Sequence, residues 1–66
     1  MRFEILIENY AGKARKVFES SNPSTVVHAW NSLISEHPGP EDKFLRLHTE
    51  DWTEFWENIA GRWVLV

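Results

Sequence analysis

No cysteine occurs anywhere in these 66 residues, and that absence is the tightest constraint on what the chain can become. Chains this short bury only about 60% of the surface their unfolded form exposes. Disulfides often make up the shortfall in small domains, and here they are excluded together with every Cys-ligated metal or haem site. What remains is aromatic mass: four Trp, four Phe and one Tyr, each able to bury on the order of 150–250 Å². The expectation is one small domain, residues 1–66, folded around an aromatic-rich core.

Charge and hydropathy remove further classes. The net charge of −3 argues against a general nucleic-acid or membrane-surface binder, because phosphate contacts need clustered Lys and Arg. No apolar run exceeds four residues, the last being Trp63 to Val66, against the roughly 20 that a membrane span requires. Met1-Arg2-Phe3-Glu4, with Glu8 close behind, reads as the start of the domain rather than a signal peptide, so a cytoplasmic location is expected.

Alternation of Phe3, Ile5 and Ile7 with Arg2, Glu4, Leu6 and Glu8 has the period of a half-buried strand. Gly12 then marks a tight turn into a second strand over Lys13 to Glu19. A two-residue Ala11-Gly12 loop pairs Glu8 with Arg15, Leu6 with Val17 and Ile5 with Phe18. A register one residue shorter puts Ile7 opposite Arg15 and Glu4 opposite Phe18. The first matches charge with charge and apolar with apolar and is preferred, although it sets Glu4 against Glu19 and Lys16 on the Phe18 face.

Ser21 or Asn22, followed by Pro23, is a helix start. From there Val26, Val27, Trp30, Leu33 and Ile34 form one apolar stripe, ended before Pro38-Gly39-Pro40. A third strand is expected over Lys43 to His48. Thr49 or Asp51, with Glu54 completing a capping box, predicts a short second helix carrying Trp52, Phe55, Trp56 and Ile59 on one side and Glu50, Glu54 and Glu57 on the other. Gly61 would stop it, and Arg62 to Val66 would form a last strand interior to the sheet.

This order of elements resembles the β-grasp fold of ubiquitin and its relatives. The features that carry the resemblance are the strand from Met1, the hairpin at Ala11-Gly12, the helix entry at Pro23 to Thr25, the approach Pro40-Glu41-Asp42 into Phe44 to Leu47, and the closing Val64-Leu65-Val66. It implies an α+β, β-grasp-like ββαβ(α)β domain, a mixed four-stranded sheet packed on one long helix plus a short second helix. It also implies an adaptor whose sheet face binds proteins. Ubiquitin-like modifiers and sulfur carriers end in a flexible Gly-Gly tail, whereas Val66 falls inside the last expected strand, which argues against conjugation or sulfur transfer.

Catalytic signatures are absent: there is no phosphate-cradling Gly loop, no His-Glu-x-x-His and no Gly-x-Ser-x-Gly. His28, His37 and His48 lack metal-ligand spacing, and neither a metal nor another cofactor is expected. His28 with Ser32 has the plainer reading of a solvated helix face. Trp52 and Trp56 read as core stripe before stacking platform. The carboxylates Glu50, Asp51, Glu54 and Glu57 form an acidic patch that could imitate a phosphate array, though a charge run is more often a solvated face.

The leading expectation is a non-catalytic interaction module, a small regulator or inhibitor of the kind encoded by phages and mobile elements, acting on a larger protein partner. Its candidate surfaces are the second sheet face, with Leu6, Phe44, Arg46, His48 and Val64, and the acidic helix; whether helix 2 covers that face is left open by the pattern. One alternative is a small nucleic-acid-binding module using Tyr10, Lys13, Arg15 and Lys16. Another is acidic mimicry of nucleic acid. Self-association through an uncovered edge or face is a further candidate.

Overall fold

The computed structural model describes residues 1–66. Five strands and one helix follow in the order β1 (Phe3–Asn9), β2 (Ala14–Ser20), α1 (Pro23–Ser35), β3 (Asp42–His48), β4 (Thr53–Ile59) and β5 (Arg62–Leu65). The strands make one sheet in the order β2-β1-β3-β4-β5, with every neighbouring pair antiparallel. The domain is thus α+β. A hairpin followed by a helix packed on the sheet is compatible with a β-grasp-like arrangement.

Three expectations are corrected. The sheet has five strands and is antiparallel rather than four-stranded and mixed. The segment expected as helix 2 is strand β4, and the closing strand is an edge rather than interior. The cap-like chemistry of Thr49 is nonetheless present: its Oγ1 accepts from the N–H groups of Asp51 (3.2 Å) and Trp52 (3.1 Å). Those bonds close one turn, and the chain leaves it extended. Thr53, Phe55, Trp56 and Ile59 are β-branched or aromatic and favour a pleated surface. Ala60 (φ 54°) and Gly61 (φ 79°) both take positive φ, as a two-residue type I′ hairpin demands, so Gly61 turns a hairpin rather than ending a helix.

The first hairpin uses both of the competing registers. Asn9 Oδ1 accepts from the N–H groups of Ala11 and Lys13, and Gly12 (φ 82°) completes a three-residue loop. From that loop the shorter register runs, with Ile7 opposite Arg15 and Leu6 opposite Lys16. A bulge at Val17 then restores the longer one, with Ile5 opposite Phe18 and Glu4 opposite Glu19. The bulge moves Lys16 to the face of Glu4 and Glu19, where its Nζ lies 3.9 Å from Glu4 and bonds Glu19, as does Arg2. Two carboxylates placed opposite each other are thereby neutralised.

Asn22 is the N-cap of α1, its Oδ1 accepting from Ser24 N–H at 3.1 Å, with Pro23 in the first turn. The helix lays Val26 and Trp30 on Ile5, Ile7, Leu45 and Leu47, and Trp63 of β5 completes the buried cluster. Ile5 and Leu45 are wholly sealed from water. Buried Asp42 holds the connection after α1: its carboxylate accepts from Gly39 N–H and faces Arg15 at 3.4 Å, and its carbonyl accepts from Asn58.

Hydrogen bonds from Arg2 and then Lys16 hold the Glu19 carboxyl down at about 2, below its usual 4.5. A carboxyl depressed by folding contributes stability that is full above its unfolded value and is lost as pH falls towards the folded one. Acidification from about pH 5 to about pH 2 should therefore lower the melting temperature more in the wild type than in Glu19→Gln. A Glu19 carboxyl titrating near 4.5 in carbon-detected NMR contradicts this. In the second hairpin, Ala60→Asn should raise the melting temperature by roughly 4 °C, because Asn tolerates the left-handed conformation that strains Ala. Unchanged calorimetric melting counts against the strain.

Candidate functional site: the open face of the sheet

Alternation along the strands sends Phe3, Ile5, Ile7, Leu45, Leu47, Trp56 and Trp63 towards the helix. Their neighbours form the opposite face, which no element covers. Across this face Leu6, Arg46 and Phe55 lie in one cross-strand row, and Glu8, Phe44, Glu57 and Val64 in the next. His48 stands between Glu4 and Thr53 in a third row, its Nδ1 2.8 Å from Thr53 Oγ1. The five residues assigned to this face from the sequence, Leu6, Phe44, Arg46, His48 and Val64, are therefore brought together.

Phe55 is the member that sequence reasoning assigned to a helix core. In the structure it is 42% exposed, packs edge-to-face on Phe44 at 6.2 Å between centroids, and lies under the Arg46 guanidinium at 5.9 Å. The signal that could have found it is the period-two series Thr53, Phe55, Glu57, Ile59, running into the Ala60-Gly61 turn. Val64 is 45% exposed beside Glu57.

Arg46 sits at the centre of this cluster under tension. Glu8 lies 3.6 Å from its Nη2, an ion pair longer than a hydrogen bond. Its Nε–H is shielded from solvent and has no acceptor. A polar group left in that state costs about 1–3 kcal/mol. The residue thus carries an unpaired donor among apolar side chains, set against its contacts with Glu8 and Phe55.

The other two candidate groups do not assemble. Glu50 and Asp51 occupy the β3–β4 turn, Glu54 turns to the helix side and accepts from Trp56 Nε1 at 3.0 Å, and Glu57 lies on the open face. Without a second helix these four carboxylates share no surface. Tyr10 and Lys13 are exposed at the first turn, but Arg15 and Lys16 point to opposite faces and are engaged by Asp42 and by Glu19 with Glu4. The three histidines lie apart, on α1, after it and at the end of β3; His28 and Ser32 are exposed. Two surface clefts, about 520 and 390 Å³, are lined mainly by polar side chains, and neither includes Leu6, Phe44, Arg46, Phe55 or Val64. No family model, curated protein or solved structure matches the chain.

If Arg46 is held at the expense of stability, Arg46→Leu should stabilise the fold by about 1 kcal/mol, since it removes the unpaired donor and keeps apolar volume on Phe55. Glu8 is half-exposed and loses little with its partner. Denaturant titration checks this, and a destabilised Arg46→Leu would make Arg46 a structural residue instead.

Proposed function

We propose that this chain is a non-catalytic protein-interaction module that docks a larger protein on the open face of its sheet and so regulates or inhibits it. The observation that carries the reading is the uncovered cluster of Leu6, Phe44, Phe55 and Val64 around an arginine with an unsatisfied donor. Aromatic residues and arginine are the side chains that dominate binding hot spots when water is excluded from them. Exposed apolar residues gathered on one face mark such surfaces. A β-grasp-like adaptor would use its sheet in this way.

The face also constrains the partner. Glu8 and Glu57 flank Phe44, so the complementary surface has an apolar centre bordered by basic groups. At the middle it carries a carboxylate or carbonyl able to meet the Arg46 guanidinium. Docking of this kind is led by apolar contact, and its affinity should fall little as salt rises.

The test compares proteins captured from host lysate by the wild type, by Phe55→Ala and Phe44→Ala, and by Trp52→Ala, an exposed aromatic in the β3–β4 turn. A partner retained by the wild type and Trp52→Ala at about 0.5 M salt, and lost at least tenfold from both phenylalanine variants, is the expected result. Equal capture by all four would end the reading.

A further inference from the structure

The two edges of the sheet differ. Edge β2 is blunted by the Val17 bulge and by Arg15 and Lys16 along it, devices that discourage another strand from pairing. Edge β5 carries one charge, Arg62 at its start; from Trp63 to Val66 there is no charged side chain, no proline and no bulge. Leu65 is 55% exposed and Val66 76%.

The direction of the free main-chain groups follows from the ladder. Val66 N–H donates inward to the Phe55 carbonyl at 3.1 Å. Donors alternate along an antiparallel strand, so the N–H and C=O of Val64 also point to β4, while those of Trp63 and Leu65 point out of the sheet. A strand that pairs with β5 must therefore address Trp63 and Leu65.

We propose that this edge is a dimerisation site and that its occupant is the β5 strand of a second copy, the two running antiparallel about a two-fold axis through Val64. This register sets Trp63 opposite Leu65 of the other copy and satisfies both outward donors and both outward acceptors on each strand. The residue at the axis, Val64, meets its own copy with apolar side chains on the same face. Each interface residue thus meets its counterpart's complement, as an isologous contact requires.

Charge does not oppose this occupant. The two Arg62 side chains are held roughly 13 Å apart along the paired strands, so the axis brings no like charges face to face. On the helix side, Leu65 of one copy lies against Trp63 of the other, beside the cleft of about 390 Å³ that Trp63, Arg62 and Ile34 line. The product is a continuous sheet with both helices on one side and both open faces on the other. An edge this short gives less than the ~1,000 Å² that stable interfaces clear, so association is reversible and depends on concentration.

The inference is independent of the docking reading, and Leu65 belongs to the helix side of the sheet, so its variants leave the open face intact. Sedimentation equilibrium from about 10 µM to about 1 mM should show the mass rising from 7.8 kDa towards twice that value. Leu65→Pro removes an outward N–H and no β4–β5 bond, and should remain monomeric throughout. A second readout needs no variant: the Trp63 and Leu65 amides should exchange with solvent at least tenfold more slowly at the highest concentration than at the lowest. A wild type that stays at 7.8 kDa up to about 1 mM, or amide exchange at those residues that ignores concentration, overturns the proposal.

Discussion

Val26 and Trp30 press onto the central strands β1 and β3, where Ile5 and Leu45 lose all contact with water, and the rest of the molecule is arranged around that seam. A 13-residue helix is about 20 Å long and ~10 Å across. Five strands at ~4.8 Å spacing span about 19 Å between their edges. One helix therefore covers about half of one sheet face. Tryptophan makes up the difference on that side: Trp56 meets Trp30 edge-on at 6.1 Å, and Trp63 closes the cluster from the far edge. The core is mainly aliphatic, Ile5, Ile7, Val26, Leu45 and Leu47, with Trp30 and Trp63 completing it and Phe3, Phe18 and Trp56 packed against it, while Tyr10, Trp52 and Phe55, counted from the sequence as aromatic mass for folding, stay exposed.

Much of the fold is legible where one periodicity stands alone. In β1, Ile5 and Ile7 alternate with Glu4 and Glu8, and α1 carries both an apolar stripe and the Asn22-Pro23 start. Residues 52–59 are different because two periods coincide: Trp52, Phe55, Trp56 and Ile59 fit a helix, while Thr53, Phe55, Glu57 and Ile59 fit a strand. Local signals do not break that tie, since Thr49 makes cap-like bonds in either case. Tertiary pairing breaks it: β4 supplies Trp56 to the core and hydrogen-bonds an otherwise bare β3. The hairpin register shows the same limit. Each of the two registers satisfies part of β2, and a bulge at Val17 lets the chain use both.

The site is legible to the same extent as its strands. Leu6, Phe44, Arg46, His48 and Val64 follow from alternation within β1, β3 and β5, so residue order alone places them on one face. Phe55 does not follow in this way, because it lies in the segment where the helical and extended periods coincide. The acidic cluster fails for a related reason. Four carboxylates within eight residues face one way on a helix, but a turn and a strand distribute them to the β3–β4 connection and to both sides of the sheet.

Sequences that specify a single structure agree with its local rules, and departures from those rules concentrate where function is at stake. Two departures stand out here. Arg46 keeps a shielded, unpaired Nε–H among aromatic rings, where a leucine would pack without that penalty. Strand β5 leaves an apolar edge bare although β2, at the other end of the same sheet, is protected by charge and a bulge. They meet at Val64, which borders the open face beside Glu57 and also lies at the midpoint of the bare edge. Pairing at that edge would join two open faces into one surface, doubling the area a partner meets without adding a residue to the chain.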